Sequence, residues 1–546
     1  MSSIIAAAAQ LSALTGAQKI ILCGLRLGAS LAVRAAEAMR TLPEGTAAGL
    51  ILLAPVTNGR AYLRELKALH LSWLDSAGPA RRPAPPADGS QEVLAFRIPA
   101  DAVREIGAIR LDQHPPCSVP RVWILDAWPG AASAVGTLAQ VYRDVGVTVE
   151  LAPFPEYASM MQSSEYAAVP ELAWRQLVAW LSPLVRPSSR PQHSEAPMQG
   201  TSTIVDGVEE RPVWFDGERQ FGILSTPPGN EVPPLAVIFP NTGGNHHVGD
   251  GRMFVTMSRR LARCGVAALR FDVSALGDSP GAARSMSIPA IYSVRPREDV
   301  SAAVDWMRGL GFRRVLLAGV CSGAFLSLQT ALANPGVEGL LMTNIVKFRW
   351  DRSDDDASAK EGGRTWRSLF AAALKPGNWR RVWRRDKRVW RMVIGMARQV
   401  RRRLGERGAA CVARLRGNGT PPEPVTTFAI AAMQELNRRG VRTEFLYGSA
   451  DVGLDEARSR FGRNLDVLSG LDHIGVSLCD GIDHSLFLAH GRERFCDCLM
   501  RQVHLHLDDM AAQTSHGAEI ADVSGVPHDS DAAADSLQHP QRPMVA

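Results

Sequence analysis

Leu316-Leu317-Ala318-Gly319-Val320-Cys321-Ser322-Gly323-Ala324-Phe325-Leu326 passes from an apolar strand through Gly-x-Cys-x-Gly into a helical pattern. Such a turn forces its central residue into a strained backbone conformation, which small neighbours two positions before and after permit. Cys321 then projects from the sheet edge at a helix N-terminus, where the aligned peptide dipoles favour a thiolate and the backbone N–H groups can hold a developing oxyanion. A buried structural cysteine followed by a glycine turn is the plainer reading, and the surrounding residues decide against it. Ser322 lies one residue past the centre of the turn, where the glycines would be out of register for a nucleophile.

A catalytic cysteine needs a base, and the base needs an orienting acid. Downstream, Arg442-Thr443-Glu444-Phe445-Leu446-Tyr447-Gly448 reads as a strand and ends in Ser449-Ala450-Asp451, which puts a carboxylate just past its C-terminus. Ile474-Gly475-Val476-Ser477-Leu478 reads as a further strand, and the loop behind it carries His484. Asp451 is the expected acid and His484 the expected base, with Asp455 and His473 as the alternatives. Upstream, Leu235-Ala236-Val237-Ile238-Phe239 is continuously apolar, as in a strand buried on both faces. It opens into Pro240-Asn241-Thr242-Gly243-Gly244, whose backbone N–H groups at Thr242, Gly243 and Gly244 are expected to complete an oxyanion site with that of Ser322. A helical stretch from Met253 to Cys264 and a strand from Val266 to Asp272 follow, and this alternation predicts parallel crossovers.

The run from about Pro212 to His506 resembles the α/β-hydrolase superfamily. The likeness rests on Asn241-Thr242-Gly243-Gly244, Arg270-Phe271-Asp272 with Gly277-Asp278-Ser279, the elbow, Asp451 and His484. The elbow cysteine is similar to that of dienelactone hydrolase, and the Gly-x-Cys-Ser-Gly-Ala turn with a Trp/Arg-rich insert resembles bacterial hydrolases encoded with exopolysaccharide and exosortase systems. The resemblance implies an α/β-hydrolase fold, a mostly parallel sheet flanked by helices. It also implies a Cys-His-Asp triad and a role on acylated intermediates of bacterial polysaccharide metabolism, although fold alone does not fix a substrate.

The first 185 residues read as a second, truncated copy. Lys19-Ile20-Ile21-Leu22-Cys23 leads into Gly24-Leu25-Arg26-Leu27-Gly28-Ala29, which has the elbow spacing with Arg26 in the nucleophile place. Arg26 to Asp126 spans 100 residues and Asp126 to Tyr157 spans 31, against 130 from Cys321 to Asp451 and 33 from Asp451 to His484. A guanidinium stays protonated and cannot act as nucleophile, so this copy is expected to be noncatalytic, with Arg26 in a structural salt bridge or binding an anion. The strands that precede the elbow are missing from it, so one sheet edge should need covering. The exosortase-associated hydrolases carry a similar Gly-Leu-Arg-Leu-Gly-Ala.

The 546 residues exceed the size at which one core keeps growing. The expected organisation is a partial hydrolase-like domain over 1–185, a Pro/Ser-rich linker over 186–211, a catalytic domain over 212–507 and a disordered tail over 508–546. The net charge of +6 is unevenly spread: residues 347 to 416 hold 21 Lys/Arg and 7 Asp/Glu, a local net of +14, which leaves −8 for the rest. This basic insert, about 347–417, is the expected cap over the active site. Its Trp379, Trp383 and Arg384 are candidates to meet substrate, and it could also touch an anionic membrane surface. No nucleic-acid-binding module accompanies the charge.

The eight cysteines lack zinc-finger spacing, and Cys23, Cys264 and Cys479 sit in or beside apolar runs where burial is expected. With no secretory signal and no apolar run of membrane-spanning length, a reducing, cytoplasmic location is expected, with peripheral contact at the inner face of the membrane as the alternative. Neither a dinucleotide fingerprint nor a P-loop is present, so no cofactor or metal is expected. The predicted activity is hydrolysis of an ester or thioester of a small-molecule or lipid-linked acyl substrate through an acyl-enzyme. Acyl transfer by the same triad is an alternative, as is a noncatalytic binding or scaffold protein with a membrane-facing insert.

Overall fold

The computed structural model describes residues 2–17, 19–40, 47–76, 86–116, 118–130, 132–162, 167–184, 202–229, 232–281, 288–350 and 425–523. Trp379, Trp383, Arg384 and nearly all of the expected cap therefore lie outside the described residues. The chain divides into two compact units, Met1–Leu499 and Met500–Ala546. The larger unit contains two separate large sheets.

The first sheet comes from β1 (Ile20–Leu25), β2 (Ala47–Leu53), β5 (Arg121–Asp126) and β6 (Thr148–Pro153), and β3 (Gln91–Val93) pairs with β4 (Phe96–Ile98) in a separate hairpin. The four strands run parallel in the order β1-β2-β5-β6. Parallel strands with helices on both faces should be apolar throughout, and β2 is: Leu50, Ile51, Leu52 and Leu53 are all buried. One face packs on Ala29, Val33, Leu138 and Tyr142, the other on Phe154 and Trp180. β1 is an edge strand that pairs with no further strand among the described residues, and Cys23 and Leu25 on it are exposed. Cys264, at a helix end, is exposed as well, and Cys479 is intermediate, so the expected burial of these three cysteines is not met.

The second sheet has nine strands: β7 (Thr203–Val205), β8 (Val208–Phe215), β9 (Gln220–Thr226), β10 (Leu235–Phe239), β11 (Ala267–Phe271), β12 (Arg314–Val320), β13 (Val337–Thr343), β14 (Arg442–Gly448) and β15 (Ile474–Cys479). Their spatial order is β15-β14-β13-β12-β10-β11-β9-β8-β7. The six strands from β10 to β15 pair in parallel, whereas β9 runs antiparallel to β11 and to β8. β10, β11 and most of β12 are wholly buried, because helices cover both faces. β7 and the start of β8 fall within the stretch read as linker. Thr203-Ile204-Val205 supplies a β-branched run too short for its period to register against polar neighbours. The helix Ala489–Val523 likewise continues into the expected tail. Its alanines and its lack of proline allow it to extend.

Register gathers the loops that matter. Val320 pairs with Thr343, Thr343 with Leu446 and Gly448 with Cys479, so β12, β13, β14 and β15 all end at one edge. Cys321, Asn344, Asp451 and the His484 loop follow those ends.

Candidate active site

Cys321 sits at φ 53°, ψ −112°, immediately before the helix Ser322–Ala333. Left-handed backbone is costly for a residue with a side chain, and the local packing enforces it. A Cβ on Gly319 would lie 2.3 Å from the Gly323 carbonyl, and one on Gly323 would lie 2.9 Å from the carbonyl oxygens of Pro240 and Asn241. The Cys321 N–H donates to Thr343 O at 2.9 Å, which ties the elbow to β13. The thiol is half-buried at the helix N-terminus.

Asp451 caps the helix Val452–Phe461: its Oδ1 accepts from Gly453 N at 2.7 Å. Its Oδ2 lies 2.8 Å from His484 Nδ1, and its side chain is 2% exposed. Cys321 lies near enough to act on the imidazole electrostatically, so the three residues picked out by chain order lie together. Burial works to lower the His484 pKa. Interaction with Cys321 and with the Asp451 carboxylate, which the imidazole bonds, outweighs it and holds the imidazole well above its ordinary value. Such a balance favours the protonated imidazole beside Asp451. Asp455 instead pairs with Arg458, and His473 precedes β15 at the far end of the strand, its N–H donating to Asn437 Oδ1. Neither alternative reaches Cys321.

Asn344, which the sequence reading passed over, organises the site. It is fully buried at φ 50°. Its Nδ2 donates to the carbonyls of Asp483 and His484, both at 3.0 Å, and its Oδ1 accepts from Gly448 N at 3.1 Å. One side chain thus fixes the base loop and the strand that carries the acid. Asp483 winds the rest of that loop by accepting from Phe487 N and Leu488 N.

The loop after β10 holds Thr242, Gly243 and Gly244 beside the elbow. Gly243 N donates to Ser322 Oγ at 2.7 Å, so it is committed to the elbow, and the Ser322 hydroxyl, 2% exposed with its residue, has a structural task. Gly244 occupies the turn closed by Asn245 N to Thr242 O. Thr242 is buried, and its hydroxyl has no hydrogen-bond partner among the described residues. Behind the loop, the Asp272 carboxylate accepts from Asn241 Nδ2, His247 N and Asp278 N and contacts His247 Nδ1 at 2.7 Å. His247, Asp272 and Asp278 lie close enough to hold a metal ion. Four N–H groups already converge on Asp272, however, which makes the cluster a hydrogen-bonded hub that braces the loop. A Cβ on Gly277 would lie 2.2 Å from Asp272 Oδ2, which explains glycine there.

The first sheet repeats the turn with other chemistry. Arg26 has φ 53°, ψ −120°, its N–H donates to Leu53 O at 2.9 Å, and Gly24 is as crowded by Gly28 as Gly319 is by Gly323. The guanidinium pairs with Glu65 between the rings of Tyr62 and Trp128, and Tyr157 packs on Trp128. Arg26 therefore sits in the expected salt bridge.

The strand order, the antiparallel β9 and the strained cysteine at a strand-to-helix turn define an α/β-hydrolase fold. No protein-family model and no curated protein matches the chain. Among solved structures, it is similar to an acetyl xylan esterase from Paenibacillus sp. R4, with 16% identity, a TM-score of 0.31, and 60% of this chain and 93% of that one covered. It is also similar to dienelactone hydrolase from Anabaena variabilis, with 12% identity, a TM-score of 0.28, and 55% and 93% covered. An α/β serine hydrolase without lid from Xanthomonas campestris matches at 15% identity and a TM-score of 0.29, with 54% and 94% covered. Among the described residues no helix is long and apolar enough to cross a membrane.

Proposed function

We propose that the protein hydrolyses an ester or thioester through Cys321, His484 and Asp451. The observation that carries the reading is the 2.8 Å contact of His484 Nδ1 with Asp451 Oδ2, beside the strained elbow that carries Cys321. The thiolate sulfur attacks the acyl carbonyl; as the S–C bond forms, the carbonyl electron pair moves to oxygen. In this reading the N–H groups of Ser322 and Thr242 hold that oxyanion. Collapse breaks the bond to the leaving oxygen or sulfur, which takes a proton from the His484 imidazolium. Water, giving its proton to the now neutral His484, then attacks the acyl-thioester and frees Cys321. A hydroxyl acceptor in place of water would make the same site an acyltransferase.

The first sheet is proposed to be a degenerate partial copy without catalytic function, since Arg26 and Tyr157 stand where nucleophile and base would be. The motif resemblance extends the proposal to acylated intermediates of bacterial polysaccharide metabolism on the cytoplasmic side, with the basic insert as a cap that contacts substrate or membrane. The test is p-nitrophenol release from short and medium p-nitrophenyl esters. Wild type and Ser322→Ala are expected to turn over and Cys321→Ala is not; an inactive wild type on every chain length, with no acyl adduct, would favour the noncatalytic binding protein.

A further inference from the structure

Elements of the first half reach both loops of the catalytic site. The helix Gly59–Ser76 carries Trp73, whose ring lies 5.4 Å from that of Phe487, three residues past His484. The segment between is tightly wound: Phe487 N is held by Asp483, and Leu486 adopts φ 57°. A ring fixed against Phe487 therefore limits where the His484 backbone can go. On the oxyanion side, the turn of the β3–β4 hairpin presses the Ala95 carbonyl onto Gly251, where a Cβ would lie 2.2 Å from that oxygen. Gly251 directly follows Asp250, which accepts from Asn245 Nδ2 in the oxyanion loop.

Helix and hairpin form one piece. His70 Nδ1 accepts from Leu94 N at 3.0 Å, and Gln91 Nε2 donates to Leu63 O at 3.0 Å. Arg492 braces the base loop, donating to the carbonyls of Leu486 and Phe487 at 3.0 and 2.6 Å. Burial lowers its pKa, while Glu92 of the hairpin, Asp483 of the base loop and Asp250 of the oxyanion turn all lie near enough to oppose that.

We infer that the helix Gly59–Ser76 and the β3–β4 hairpin are a clamp on the two catalytic loops, with Trp73 a positioning residue for His484. The noncatalytic half then serves the chemistry of the other half by holding the imidazole in reach of Cys321 and Asp451. This inference takes its kinetic consequence from the hydrolase reading, and its structural consequence is independent of turnover.

The test uses the full chain with Trp73→Ala and Trp73→Phe. Two quantities are measured: kcat and KM on p-nitrophenyl acetate, and the His484 imidazole pKa by NMR on protein labelled with nitrogen-15 histidine. Trp73→Ala is expected to lower kcat roughly tenfold with KM within about twofold, since misplacement by about 1 Å costs up to about a hundredfold. The imidazole pKa should fall toward its ordinary value as its contacts loosen, and Trp73→Phe should restore both. Trp73→Ala with wild-type kcat and wild-type titration, or a phenylalanine no better than alanine, would overturn the clamp. If wild type hydrolyses nothing, the hydrolase reading fails, and the titration alone decides the clamp.

Discussion

Replacing Asn344 by alanine should damage stability and catalysis together. The side chain is fully buried and makes three hydrogen bonds, to Asp483 O, His484 O and from Gly448 N. At about 1 kcal/mol net for each bond, the loss is about 3 kcal/mol, with two carbonyls and one N–H left buried and unpaired. Asparagine also tolerates the left-handed backbone better than alanine, and φ 50° adds about 1 kcal/mol. The expected total is about 4 kcal/mol. For a unit of this size the unfolding entropy is about 1 kcal/mol/K, so Tm should fall by about 4 °C. Because the lost donors hold the His484 backbone, kcat on an ester should drop by at least about tenfold, on the same misplacement argument. Differential scanning calorimetry and steady-state kinetics on one preparation measure both. A variant that melts within 1 °C of wild type with kcat unchanged would refute the view that Asn344 fixes the base loop. Asn344→Asp keeps an acceptor for Gly448 N but turns a carboxylate oxygen toward two carbonyls, and should be no better than alanine.

Asp451→Asn should reduce kcat/KM by roughly a thousandfold and move the alkaline limb of its pH profile down. The carboxylate helps hold the His484 pKa above normal, and its removal lets the imidazolium lose its proton at lower pH; an unmoved limb would contradict this. The raised pKa also has a stability consequence: the ion pair contributes fully below about pH 6.5, the unfolded value, and that contribution fades as pH rises through the higher folded value. Calorimetry of wild type against Asp451→Asn should show the stability difference shrinking over that alkaline range. Gly323→Ala would bring a Cβ within 2.9 Å of two backbone carbonyls, so the elbow must shift, and loss of most activity with about 1 to 3 kcal/mol of destabilisation is expected; full activity would mean that the elbow is not held by this contact.

Much of the site could be read from the chain because its parts obey local rules. Gly319 and Gly323 announce a strained turn by spacing alone, and the apolar runs of β10, β12 and β14 mark strands buried on both faces. Asp451 and His484 follow from their places after successive strand ends. Asn344 did not stand out, since one asparagine after an apolar run has no spacing signature; its left-handed φ is the feature that asparagine at such a place could have suggested. The Gly243 to Ser322 bond and the Trp73 contact with Phe487 join residues 79 and 414 positions apart, and no local period encodes them. The linker over 186–211 rests on composition, whereas contacts such as that of Ala95 with Gly251 join residues far apart in the chain and leave no local signal.

The measurement that tests the account most directly is peptide mapping by mass spectrometry after brief exposure of the full chain to a p-nitrophenyl ester at mildly acidic pH, where acyl-thioesters persist. An acyl group on the peptide containing Cys321, present in Ser322→Ala and absent in Cys321→Ala, is the predicted result. An adduct on Ser322, or one that survives Cys321→Ala, would contradict the sulfur nucleophile on which the mechanism rests.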